Sequence, residues 1–167
     1  MFAVKDDEEL FTIKRAAQLT AKVFQKVVKP KIVTIAQQAT EVTHRDFGNS
    51  MDAFVEDLEA RPELLGKLNP QELELAYPTM LRTGRDASEA FKLGTENSEA
   101  NASFDIALVS LGIKYLNYNS CVSRSIIFHG SRYQVDCYQV LLEAFDAALQ
   151  AIVPGNPIKT IHQGQRV

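Results

Sequence analysis

The stretch "YLNYNSCVSRSII", Tyr115 to Ile127, gathers most of the side chains with chemical capability in this chain. Five hydroxyl groups of Tyr or Ser precede or follow Cys121, Arg124 stands among them, and no carboxylate occurs between Asp105 and Asp136. Such a set can supply a thiol nucleophile or hydrogen bonds to a ligand. It cannot supply a general acid/base pair of carboxylates, which has no location in this part of the chain. Cys121 and His129 suggest a nucleophile and its base. On a continuous strand they would share a face yet stand about 26 Å apart, so a small buried thiol is the expected role of Cys121. His44, His129 and His162 are far apart and show no metal-ligand spacing such as HxxxH, which leaves them as surface or turn histidines. Neither a glycine-rich phosphate loop nor a GxSxG elbow is present.

The elements that would position this stretch follow from the periodicity. A helix is expected over residues 6–28, opened by Asp6 with Glu9 three residues later as a capping box. Leu10, Ile13, Ala17, Thr20, Phe24, Val27 and Val28 mark its apolar face, and Pro30 is expected to end it. A second helix is expected from about Lys31 to Glu41. A third runs from about Ser50 to Leu65, broken by Arg61-Pro62 and Gly66, with Asp52, Glu56, Asp57, Glu59 and Glu63 on a solvated face. The pattern then changes. Leu73 to Gly84 reads as a strand interrupted or edged by Pro78, Glu99 to Phe104 as loop, and Phe104 to Phe128 as two β-runs joined near Tyr115 to Tyr118. Helical spacing returns over 131–152 through Val135, Tyr138, Leu141, Leu142, Phe145, Leu149 and Ile152, and Pro154-Gly155 stops it. Helices, an antiparallel β-section and a final helix make an α+β domain, expected to be single over residues 1–167.

Composition limits the function classes. Of the 167 residues, 46% are hydrophobic and 23% charged, which suits a globular chain with one real core. No apolar run approaches the roughly 20 residues that span a bilayer, and "MFAVKDDEEL" lacks the basic start of a secretion signal. Cys121 and Cys137 have no CxxC spacing, as expected in a reducing compartment. The net charge is −3, and the richest basic stretch, "KVVKPK", is diluted by valines. A grip on phosphates needs a denser basic face, so direct sequence-specific DNA binding is not expected, whereas basic partners are compatible.

The motifs carry a resemblance. "VKDDEELFTIKRAAQLTAKVF", Val4 to Phe24, resembles the opening helix of the pita-bread fold of creatinase, prolidase, aminopeptidase P and methionine aminopeptidase. In the active enzymes a later hairpin reads Asp-x-Gly-x-x-Tyr-x-x-Tyr-x-x-Asp-x-Thr-Arg-Thr, and its two aspartates bridge a pair of divalent metals. This chain keeps Gly112, Tyr115, Tyr118, Arg124 and the hydroxyls of Ser123 and Ser125 in register, but has Ser110 and Cys121 at the two aspartate positions. The segment "YPTMLRTGRDASEAF" keeps Thr83-Gly84 and places Phe91 where the enzymes have a substrate-contacting histidine. Both features, and "GIKYLNYNSCVSRS" in particular, resemble the peptidase-like domain in the large subunit of the FACT histone chaperone, over most of residues 4–155.

The resemblance implies the first half of a pita-bread fold, with helices packed on one face of a curved antiparallel sheet, and a chain that is a fragment of a longer protein. It implies no catalytic residues, no metal site and no cofactor, because a hydroxyl and a thiol offer hard divalent ions no fixed negative charge. Phe91, Ser110, Cys121 and Arg124 would line a vestigial pocket. The implied function is a non-catalytic, histone-binding module of a nuclear, chromatin-associated complex that disassembles and reassembles nucleosomes in transcription, replication and repair. The implied partners are core histones or their tails, with the small FACT subunit engaged through other domains, and no membrane. Half of a two-fold fold also leaves a sheet edge to cover, which implies a homodimer. A degenerate metal-dependent aminopeptidase and another pseudo-peptidase interaction module are the alternatives.

Overall fold

The computed structural model describes residues 4–84, 102–159 and 161. They group into two compact units, Met1–Phe128 and His129–Val167. In the first, helices cover one face of a three-stranded antiparallel sheet of order β1-β2-β3, with β1 Leu73–Thr83, β2 Ile106–Tyr115 and β3 Tyr118–Ile127. On β2, Ala107, Val109, Leu111 and Ile113 alternate toward the helices and are fully buried. Helix α1 (Asp7–Val23) packs on β2 and β3, and α3 (His44–Glu56) packs on β1. Phe47, Met51 and Val55 from α3 meet Leu19, Val23 and Phe24 over the strands in one apolar cluster.

Helix α1 starts as its sequence predicts. The Asp6 carboxylate accepts the Glu9 N–H at 2.8 Å, and Glu9 returns the bond to the Asp6 N–H at 2.9 Å. Its buried face differs from the expected one: Thr12, Ala16, Leu19, Thr20 and Val23 point inward, whereas Leu10 and Ala17 are exposed. Small residues at 12 and 16 let the helix lie close to the sheet, and tertiary docking outweighs the hydrophobicity of Leu10. Pro30 does not end the helix. A π-helical turn, Phe24–Val28, carries the chain on, and α2 (Lys29–Gln38) follows with Pro30 in its first turn. The Lys29 N–H bonds back to the Phe24 carbonyl across that widened turn, and a first-turn position tolerates the missing proline N–H.

The third helix begins earlier than expected, at His44, because the Thr43 hydroxyl caps it by accepting the Asp46 N–H at 3.0 Å. It stops at Glu56, and after a short turn α4 (Pro62–Leu65) is held to α1 by Lys22, whose Nζ donates to the Leu64 carbonyl at 3.0 Å. Of the carboxylates expected on a solvated face, Asp52 departs. It accepts the Thr79 N–H at 2.8 Å. Register shifts on either side of Tyr77, next to Pro78, take this part of β1 out of step with β2, and the helix supplies the acceptor. The β2–β3 pairing runs without interruption from Ile106↔Ile127 to Tyr115↔Tyr118. At its tip Leu116 adopts φ 54°, held by its N–H donating to the Glu72 carbonyl at 2.9 Å.

The second unit contains α5 (Arg132–Ala151), capped by Ser131 and Gln134 in a reciprocal box. No described helix is long and apolar enough to cross a membrane. Phe47 is fully buried at the centre of the first unit, so Phe47→Ala is expected to destabilise that unit by about 3–5 kcal/mol, read as a lower urea midpoint with unchanged slope.

Candidate functional site

The alternation of the strands sorts the residues of interest onto two faces. The register pairs Ser110 with Ser123 and Gly112 with Cys121, so Ser110 and Cys121 are diagonal neighbours on the face turned away from the helices. Arg124 pairs with Val109, whose side chain is buried under the helices, and therefore lies on the other face. There Arg124 and Lys29 border a groove of about 340 Å³ floored by Phe24, Val122 and Ile126. The structure thus brings Ser110 and Cys121 together and sets Arg124 apart from them. Phe91 lies outside the described residues.

Sequence reasoning missed Tyr77. Its ring lies over Gly112, where an added Cβ would come within 2.5 Å of the Tyr77 Cε1. From that position its Oη shares a 2.6 Å hydrogen bond with the Ser110 Oγ, and either atom can donate. Burial raises the Tyr77 phenol above its ordinary range, the Ser110 bond opposes this, and the neighbouring Cys121 adds to it. A tyrosine opposite a strand glycine is the available signal, but it depends on the shifted register at Tyr77, which no local pattern reveals. Cys121 is exposed rather than buried, because among the described residues of the first unit no helix covers its face of β3, the sheet's edge strand.

His44 corrects the expectation of a surface histidine. It is buried at the start of α3, with Nε2 2.8 Å from the Thr83 Oγ1. That hydroxyl also accepts the Ser103 N–H at 2.8 Å, which joins the end of β1 to the approach to β2. His129 is exposed and belongs to the second unit, and His162 lies outside the described residues.

Tyr118 fastens the hairpin to α1. Its hydroxyl donates to the Glu9 carboxylate, and Lys5 Nζ sits 5.8 Å from the ring centroid. The bond raises the Tyr118 phenol to about 12. The same bond, with the Asp6 backbone, lowers the Glu9 carboxyl.

The chain matches metallopeptidase family M24 over residues 12–166 and belongs to that family. Within it, the chain is similar to the FACT complex subunit SPT16 of Zea mays, 29% identical over 167 residues, and of Arabidopsis thaliana, 29% identical over 166 residues. Each match covers 98% of this chain and 15% of the relative, so the chain spans a small part of the length of those proteins. Among solved structures it is similar to the N-terminal domain of FACT complex subunit SPT16 from Cicer arietinum, with a TM-score of 0.87 and 22% identity, covering 98% of this chain and 38% of that one. A recombinant prolidase from Thermococcus sibiricus matches with a TM-score of 0.74 and 19% identity, covering 98% of this chain and 39% of the prolidase. The resemblance read from the hairpin and the α+β, pita-bread expectation are borne out, with this chain covering the first half of the fold.

The residues here do not fit the divalent metal pair of the family's enzymes. At Ser110 and Cys121, the positions that the hairpin resemblance sets against the two aspartates, stand a hydroxyl already bonded to a phenol and an exposed thiol. Glu74, a carboxylate on the same face of β1, is engaged by Lys114 at 2.7 Å. Among the described residues no three His, Cys, Asp or Glu side chains converge. Hard divalent ions need several anionic oxygens to replace their water.

Two predictions follow from this geometry. Gly112→Ala is expected to destabilise the sheet. Because the clash is with the Tyr77 ring, the loss should be smaller in a Tyr77→Ala background, giving a non-zero coupling in a double-mutant cycle. The Tyr118–Glu9 bond is expected to make stability fall with acid. With its folded pKa below 4.5, Glu9 contributes stability above that value, and this is lost as pH drops through the folded pKa. Acid titration of the unfolding free energy should show a shallower fall below pH 4.5 for Glu9→Gln than for the parent.

Proposed function

We propose that this chain is a non-catalytic module of a FACT-type histone chaperone subunit, acting in the nucleus on chromatin by binding core histones or their tails. The observation that carries the reading is the similarity to SPT16 subunits along 98% of the chain. The chemistry at Ser110 and Cys121 supports it, since the family's metal-bridging positions hold groups without fixed negative charge. A net charge of −3 suits basic partners. In this reading the complex takes nucleosomes apart and restores them during transcription, replication and repair, and its small subunit docks on other domains. The sheet face around Tyr77, Ser110, Cys121 and Ser123 is the vestigial pocket. Arg124 serves the separate groove beside α1, and Phe91 belongs to the segment that connects β1 to β2.

A second reading follows from membership of a metallopeptidase family: a peptidase with an altered site. The two are separated by capture of purified core histones over a salt series and by peptide cleavage with added manganese or cobalt. Retention at low salt that weakens as salt rises, with no metal-dependent cleavage, is the expected outcome. Cys121→Arg and Ser123→Arg, which place positive charge on the proposed face, are expected to reduce retention severalfold. No retention even at low salt would remove the histone reading for this chain, and stoichiometric metal with turnover would establish the enzymatic one.

A further inference from the structure

Ser110 is engaged in a bond that ties two strands where their pairing is irregular. Beside Pro78, β1 falls out of step with β2: Tyr77 pairs with Gly112 and Met80 with Ser110, and the register shifts on both sides of Tyr77. Two side-chain bonds span this stretch. On the helix side Asp52 accepts the Thr79 N–H. On the other face the Tyr77 Oη meets the Ser110 Oγ at 2.6 Å. To reach it, the ring crosses from β1 over Gly112, where a Cβ has no room. Its hydroxyl there adjoins Cys121, the partner of Gly112 on β3.

Ser110 and Cys121 are diagonal neighbours, and the hairpin resemblance sets them against two metal-bridging aspartates. An ion held by both positions must lie about 2.0–2.6 Å from a ligand atom of each, and so in the space between their side chains. The phenol of Tyr77 lies in that space. A carboxylate placed at 110 meets the same hydroxyl, because the pairing of Tyr77 with Gly112 fixes where the ring lies. We infer that Tyr77 is a plug: it fills the space between positions 110 and 121 and ties β1 to β2 across the register shift, so that this chain refuses a divalent ion there even when both positions carry carboxylates. Loss of charge at Ser110 and Cys121 is undone by two substitutions, and the plug is not. The refusal is local to three strands of the first unit and does not depend on what else covers the sheet. It rests on the non-catalytic reading and not on histone binding.

The test uses the full 167-residue chain and manganese(II) alone, followed by the paramagnetic resonance signal of the free ion. At about 1 mM manganese, the weak end of carboxylate cation sites, the parent and the Ser110→Asp/Cys121→Asp variant are both expected to leave the ion free. Adding Tyr77→Ala to the two aspartates is expected to strengthen binding by about tenfold or more, the scale on which groups around metal ligands act. The tie is read separately. Tyr77→Phe and Ser110→Ala should each lower the urea midpoint, and the two losses together should exceed that of the double variant. Circular dichroism checks that every variant keeps its secondary structure. Manganese bound by Ser110→Asp/Cys121→Asp with Tyr77 in place would overturn the inference. So would a Tyr77→Ala version that binds no better, or strictly additive losses for Tyr77→Phe and Ser110→Ala. Manganese bound at this site by the parent would overturn the inference and the non-catalytic reading together.

Discussion

Strand β2 is the constraint on which the rest of the first unit depends. It is hydrogen-bonded on both edges, and Ala107, Val109, Leu111 and Ile113 are fully buried on one face. Its side-chain period of two admits one register only, because a slip of one residue would turn Ser110 and Gly112 into the core and Leu111 and Ile113 out of it. The position of α1 over β2 and β3, and of α3 over β1, follows from covering those four residues. So does the placement of Ser110 and Cys121 on the opposite face.

The polar bonds mark where this frame is tied at its irregular places. Asp52 takes the N–H that the register shifts near Pro78 put out of step. The Thr83 hydroxyl links buried His44 to Ser103. Tyr118 secures the hairpin tip to the start of α1 through Glu9. Each joins elements far apart in sequence, and each satisfies a group that regular pairing leaves open. The retained residues of the hairpin therefore have structural work independent of any metal: Gly112 accommodates the Tyr77 ring and Tyr118 holds a helix.

The two faces of the sheet have different chemistry. On one side Tyr77 and Ser110 form a small polar pair partly withdrawn from water, beside exposed Cys121. On the other, Arg124 and Lys29 flank an apolar groove against the π-helical turn. Residues adjacent in the motif, Ser123 and Arg124, thus face different surroundings. A hairpin motif read linearly merges two surfaces that a strand separates.

Much was legible from the chain alone. The capping box at Asp6 and Glu9, the β-hairpin from Ile106 to Ile127, the final helix and the family's hairpin pattern are local signals: a cap needs four residues and a hairpin about twenty. The sequence by itself determined the α+β order, the family and the non-carboxylate character of positions 110 and 121. Tertiary structure decided what local signals cannot encode. It chose Thr12 and Ala16 over Leu10 and Ala17 for the buried face of α1, because close approach to a sheet favours small side chains. It carried a helix through Pro30, because a widened turn placed the proline where its missing N–H costs little. It buried His44, bonded Asp52 to the Thr79 N–H, exposed Cys121 and brought Tyr77 onto Gly112, because burial and partners come from residues distant along the chain, and only the folded register places them together.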